Sequence, residues 1–316
     1  MSRRLFFFVA LAVTSFLRGL NGFSAEISVE RSEKGAVVKI DGRLFAEYLV
    51  QSGTKPILWP IIGPTGKSMT RDFPMRDRVG EKKDHPHQRS LWFSHGDVNG
   101  IGFWTERGKG VGTIKHLEFT KVAGGKPGVI ATRNAWLASD GHRVCEDERT
   151  LRFDTDGDAR WIDFEITLKA VDGDVVFGDT KEGTFGVRVA ESLSVDAKRG
   201  GKIVNSEGQR NDKAWGQPAA WVDYHGPIDG QTVGIAIFNH PSSFRYPTCW
   251  HVRGYGLFAA NPFGLHEFSG GKEVNGALTL SRGKTVALRY RVLLHRGDER
   301  EGRVAERFSV YAKESK

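Results

Sequence analysis

The densest chemistry in this sequence lies in one stretch, Asp84-His85-Pro86-His87-Gln88-Arg89-Ser90-Leu91-Trp92-Phe93-Ser94-His95-Gly96. Three histidines, an arginine and an aspartate fall within twelve residues. In an extended chain His85, His87 and Arg89 share one side, with the two histidine Cα atoms roughly 6.6 Å apart. Two imidazoles so placed can share a metal ion, or act as a base and its orienting partner on one substrate. His95 would lie roughly 26 Å beyond His87 in a straight strand, so it joins them only where the chain bends.

A second segment, Gly178-Asp179-Thr180-Lys181-Glu182-Gly183, is a glycine-bounded turn carrying three charges. It reads either as a solvated hairpin tip or as a loop presenting Glu182 as a general acid/base, with Lys181 as electrostatic partner and Asp179 near the substrate. A partly desolvated carboxyl rises toward neutral pKa and can do such work. A third group is Asn239-His240-Pro241, Trp250-His251-Val252-Arg253 and Asn261-Pro262-Phe263-Gly264. Each sets a polar side chain beside Pro or Trp at an expected strand end, where loops on a rigid scaffold carry function. Asn-Pro is equally a turn signal. Trp92, Trp104 or Trp250 on a concave face would offer the flat apolar surface on which the C–H face of a sugar stacks.

The candidate catalytic residues are therefore His85, His87, Glu182, His240 and His251. Arg89, Trp92, His95, Trp104, Asp179, Lys181, Trp250 and Asn261 are candidates for holding substrate. No cofactor is required by these residues, although a His-bound metal fits the His85–His87 spacing. There is no G-x-S-x-G elbow, Walker loop, H-E-x-x-H or G-x-G-x-x-G motif, which disfavours serine hydrolases, nucleotide enzymes and zincins. The two cysteines, Cys145 and Cys249, could form a disulfide or remain two separate buried thiols.

The elements that must position these residues read as strands. Ile162, Phe164, Ile166 and Leu168 alternate with polar residues, and so do Val286, Leu288, Tyr290, Val292 and Leu294. Phe185-Val187-Val189 and Val233-Ile235-Ile237 repeat the pattern, which marks strands with one face on a core. Asp-Gly pairs at 41–42, 140–141, 156–157 and 172–173 punctuate the runs as hairpin turns. One helix is expected at the C-terminus, opened by Asp298 and Glu301 as a capping box and continued by Val304, Phe308 and Tyr311. The long polar connection from Gly63 to Lys83 is a loop, and long loops in compact domains are usually functional or disordered.

The chain has 316 residues, 39 of them glycine and 34 aromatic (20 Phe, 8 Trp, 6 Tyr), as expected for many short strands joined by tight turns. The expected architecture is all-β, a large antiparallel β-sandwich with one C-terminal helix, formed by residues 25–316 as a single domain. Residues 1–24 have the charged, apolar and small-residue order of a secretory signal, which predicts a periplasmic or secreted protein. Its apolar run is shorter than the ~20 residues of a membrane span, and no later segment approaches that length. Loss of residues 1–24 lowers the formal charge from +8 to +5, with bases spread among acids; a nucleic-acid partner is not expected.

Residues 87–100, Gly178–Gly183, Asn239-His240-Pro241, residues 250–256 and Ala260-Asn261-Pro262-Phe263-Gly264 together resemble the bacterial family labelled "methane oxygenase PmoA". The resemblance spans about Ile27 to Tyr311. It implies an exported protein with a fold like the galactose-mutarotase supersandwich, and by that analogy a carbohydrate partner. Mutarotases use a His acid and a Glu base. In this chain Glu182 is the expected base and His87 or His251 the acid, with Arg89 and Lys181 steadying oxyanion charge. Three readings follow: an acid/base epimerase, lyase or hydrolase on a sugar, a His-ligated metal oxidase, or a non-catalytic glycan-binding module.

Overall fold

In the computed structural model residues 25–315 are described, so the expected signal segment lies outside the described residues. The first nine strands are β1 (Ile27–Ser32), β2 (Gly35–Ile40), β3 (Arg43–Ser52), β4 (Lys55–Ile61), β5 (Leu91–His95), β6 (Thr113–Ala123), β7 (Gly128–Leu137), β8 (Arg143–Thr155) and β9 (Arg160–Lys169). There follow β10 (Val175–Phe177), β11 (Gly183–Arg188), β12 (Lys202–Asn205), β13 (Trp221–Ile228), β14 (Gln231–Asn239), β15 (Cys249–Val252), β16 (Leu257–Asn261), β17 (Leu278–Leu280) and β18 (Thr285–Arg296). A short helix α1 (Leu265–Phe268) precedes β17, and α2 (Val304–Tyr311) closes the chain.

Sixteen of these strands form two eight-stranded antiparallel sheets. The first runs β1-β2-β3-β4-β5-β11-β16-β15, the second β12-β13-β14-β18-β9-β8-β7-β6. The expected alternating runs fall in β9, β11, β14 and β18, and each Asp-Gly pair sits at a strand end. Aromatic residues of the two inner faces interlock: Phe93 stacks on Phe164 with ring centres 6.2 Å apart, and Phe185 on Tyr290 at 4.7 Å. Burial of these faces is the main stabilising term of the sandwich. The architecture is therefore the large antiparallel β-sandwich with one C-terminal helix that the sequence predicts.

The outer faces are covered differently. On the second sheet α2 lays Val304, Phe308 and Tyr311 against Trp161, Ala236, Phe238 and Leu293. Asp298 and Glu301 do bond one another's backbone, yet as a separate turn: α2 starts at Val304, after Arg303 in the left-handed region at φ 52°. On the first sheet Met75 of the β4–β5 loop, Trp104 of the β5–β6 loop and Tyr255 of the β15–β16 turn fold over Leu49, Ile57, Trp92, Leu257 and Ala259, beside Trp59 of β4. Gly186 is required there, because a Cβ would lie 2.7 Å from a ring carbon of Trp92. Both cysteines are free thiols, Cys145 in β8 and Cys249 in β15, on different sheets.

Candidate functional site

Residues 84–90 are not extended. His85 and Ser90 take φ of 42° and 52°, so the expected common side for His85, His87 and Arg89 is replaced by a tight turn ahead of β5. Such left-handed non-glycine residues are costly and persist only where the surroundings hold them. Arginines do so here. Arg71, fully buried, donates to the carbonyls of Lys82 (3.2 Å), His85 (3.0 Å) and Gln88 (3.3 Å) and to Asp84 Oδ1 (2.5 Å). Arg188, projecting from β11, donates to the same Asp84 oxygen (2.8 Å) and to Gln88 Oε1 (2.6 Å).

The result is a stack. The Arg188 guanidinium lies 4.7 Å from the ring centre of Tyr255, and His85 stacks on Tyr255 at 5.0 Å with the rings within 1° of parallel. His87 meets His85 edge-on at 5.8 Å. Gln88 Nε2 donates to the Tyr255 hydroxyl at 3.4 Å, leaving the phenolic proton for another acceptor. Burial lowers the His87 pKa to about 4, aided by the charge of Lys55. The imidazole is therefore neutral over the physiological range.

Glu182 and His251 stand in the same field. Glu182 is half-buried; desolvation raises its pKa above the ordinary carboxyl value, with the charge of Glu267 adding and those of Lys181, His85 and Arg253 opposing. Burial and then Arg253 lower His251 to about 4, and its Nδ1 lies 3.0 Å from the Lys181 carbonyl. A carbonyl can only accept, so Nδ1 carries the proton and Nε2 keeps a lone pair. Tyr255, raised by burial, also senses Glu182. Glu182 follows the Lys181 that holds His251, senses the charges of His85 and Arg253 and acts on Tyr255, so these groups lie along the outer face of β11, β16 and β15.

Other expected residues serve as supports. Both ends of the Arg89 guanidinium pair with Glu106 (2.8 and 2.7 Å), which also binds buried Lys55 at 2.8 Å. Lys181 pairs with Glu267 at 2.6 Å and lies 3.9 Å from Glu182. Asp179 accepts from the backbone of His266 and Gly276, and Asn261 donates to the Thr180 carbonyl at 2.9 Å, so both hold the Glu182 loop from below. Trp92 and Trp104 are buried against each other at 5.1 Å; they form the floor under the turn rather than an open platform.

Three expected residues lie elsewhere. His95 points between the sheets against Phe177 and Phe263, with Nε2 2.8 Å from the Gly178 carbonyl. Trp250 also faces the core and donates to the Ala219 carbonyl at 2.9 Å. His240 is on the second sheet, beside Arg289, Ser242 and Tyr311. Arg71, Arg188 and Tyr255 were not singled out from the sequence, although Tyr255 stands in the quoted 250–256 segment, and Asp84 was noted only as part of the dense stretch. Arg71 lies in the Gly63–Lys83 loop, whose length was its only signal. As to a metal, His85 and His87 gather no third ligand; among the described residues the cluster of three potential ligands is at Asp223, His225 and Glu299.

Residues 35–309 match the model of a family of unknown function, DUF6807, and the chain belongs to that family. The match carries no methane-oxygenase label. No curated protein matches the chain. Among solved structures it is similar to a galactose mutarotase-like protein from Clostridium acetobutylicum, at 8% identity and TM-score 0.38, covering 87% of this chain and 99% of that one. A putative aldose 1-epimerase from Escherichia coli K12 gives 11% identity and TM-score 0.28, covering 87% and 99%. The α-galactosidase from Lactobacillus brevis gives 9% and 0.33, covering 86% of this chain and 39% of that one, so the chain spans about two fifths of its length. Among the described residues no helix is long and apolar enough to cross a membrane.

Proposed function

We propose that this protein is an acid/base enzyme acting on a sugar at the outer face of the first sheet, and that it works outside the cytoplasm. The observation that carries the reading is the shared neighbourhood of a carboxyl with raised pKa, Glu182, and an imidazole held neutral with a free Nε2, His251. Burial moves the carboxyl up and the imidazole down, which suits Glu182 to hold and return a proton while His251 stays neutral. Glu182 takes the proton from a sugar carbon or hydroxyl. Protonated Glu182 returns that proton to the product, while His251, neutral above a pH of about 4, accepts a hydrogen bond from a substrate hydroxyl through Nε2 rather than acting as the imidazolium acid expected from the sequence. In this reading the free phenolic hydrogen of Tyr255 and the charges of Lys181 and Arg253 stabilise the oxygen on which negative charge develops. His85, with its side chain 41% exposed, offers the flat surface for the ring.

The glycan-binding module is the weaker reading, because Trp92, Trp104 and Trp250 are all buried. The test is calorimetry and NMR turnover on a panel of neutral and acidic mono- and oligosaccharides, comparing wild type with Glu182→Gln and His251→Ala. Binding kept and turnover lost by at least ~10²-fold is expected. Sugar binding with turnover unchanged in both variants would remove the assigned chemistry. N-terminal sequencing of protein recovered from the periplasm or medium tests export, with Ala25 expected as the new first residue.

A further inference from the structure

A second cluster lies on the opposite sheet, away from Glu182 and His251. Asp223 and His225 are two apart on β13, so both point to the outer face, while Val222 and Tyr224 point to the core. Register places His225 opposite Gly234 of β14, and Gly234 opposite His295 of β18. A Cβ at Gly234 would lie 2.3 Å from the His295 ring. With glycine there, His295 lies across β14 and reaches Asp223 Oδ2 at 2.7 Å. The turn after β18 closes over the group and brings in Glu299.

The oxygens are divided. Asp223 Oδ2 is taken by His295, and Glu299 Oε1 by Arg210 at 3.2 Å. Asp223 Oδ1 and Glu299 Oε2 both face His225 Nδ1, at 2.6 and 3.7 Å, and the three atoms lie within 4.8 Å of one another. Tetrahedral bonds of about 2.0–2.2 Å to zinc require donors roughly 3.4 Å apart, so the three need shift by under about 1 Å. His295 also has Nδ1 3.0 Å from the Arg296 carbonyl. Acceptors at both ring nitrogens fix it as a donor to Asp223, the outer partner that a metal-bound carboxylate ordinarily has.

We propose that Asp223 Oδ1, His225 Nδ1 and Glu299 Oε2 form a binding site for a first-row divalent cation, zinc foremost, with the fourth position open. One imidazole nitrogen and two carboxylate oxygens suit zinc and offer no thiolate. The two carboxylates balance the ion's charge, and the proton on Nδ1 leaves as the metal enters. Glu299 borders a surface cavity of about 380 Å³ with Arg210, Trp221 and Arg300, which gives the ion a way in. The bound ion would tie the turn that precedes α2 to β13.

The test is zinc chloride titration of chelator-stripped full-length protein by calorimetry. One ion per chain is expected, weakened at least tenfold in His225→Ala and in Glu299→Gln and unchanged in the His85→Ala/His87→Ala double variant. No saturable binding, or binding lost in the double variant and kept in His225→Ala, overturns the proposal. X-ray absorption of zinc-loaded wild type needs no variant to fold. Nitrogen and oxygen donors near 2.0–2.2 Å support the site, and a sulfur donor refutes it.

Discussion

Asp84→Asn probes the support of the candidate site. One oxygen of Asp84 accepts from Arg71 at 2.5 Å and Arg188 at 2.8 Å, and the two guanidinium side chains are 0% and 1% exposed. Removing the partner of a buried charge costs about 3–5 kcal/mol. Here Asp84 is itself 35% exposed, Arg71 keeps three carbonyls and Arg188 keeps Gln88. The loss should therefore be about 2–3 kcal/mol, a fall in Tm of roughly 4–9 °C. Burial raises the Asp84 pKa, but Arg188 and Arg71 together bring it below 3.8. A depressed folded pKa means that the carboxylate's contribution is present above the unfolded value of about 3.9 and is lost as pH falls through the folded one. The gap between wild type and variant, complete at pH 7, should close in strong acid. Asp77→Asn is the control, since its pair with Lys83 is exposed and worth about 0–0.5 kcal/mol. Urea unfolding at pH 7 decides: if the two variants agree within about 0.5 kcal/mol, Asp84 does not hold the guanidiniums.

Other outcomes follow from the same geometry. Turnover of the responsive sugar should rise with pH through a limb above the ordinary Glu value of 4.5, and Lys181→Met should move that limb upward; a limb unmoved by Lys181 would separate it from Glu182. Gly186→Ala should cost about 1–3 kcal/mol and alter the near-ultraviolet tryptophan spectrum, because its Cβ meets Trp92 at 2.7 Å. An unchanged spectrum and stability would mean the floor is loose. His240→Ala should leave sugar affinity within about twofold, since His240 touches Arg289 and Tyr311 on the second sheet; a large loss would extend the site across the fold. Burial raises both thiols, Cys249 to about 11, so alkylation at pH 8 should need denaturant. Rapid labelling of the folded protein would contradict that packing.

Legibility in the sequence tracked the number of buried faces. Where one face is wetter, as in β9 with Asp163, Glu165 and Thr167 between core residues, alternation gave the strand and its orientation together. The strands that carry the site offer no such contrast. β5, β11 and β16 are buried on both faces, one against the second sheet and one beneath the loops. Parity then has no polar partner to anchor it, and Trp92 and His95, three apart, face opposite sides. The same uncertainty separates Trp250, in the core, from His251, in the site. A histidine or tryptophan in such a strand has the same local sequence whether it packs or acts. What distinguishes them is the partner: Phe263 for His95, the Lys181 carbonyl for His251. Arg71, Arg188 and Asp84 were still less visible, because they lie 13 and 104 residues apart and mean nothing until the loop folds over β11. Yet those three side chains, two of them fully buried, hold the turn that contains His85 and His87. Catalytic groups were legible as composition, and the ion pairs that position them only as geometry.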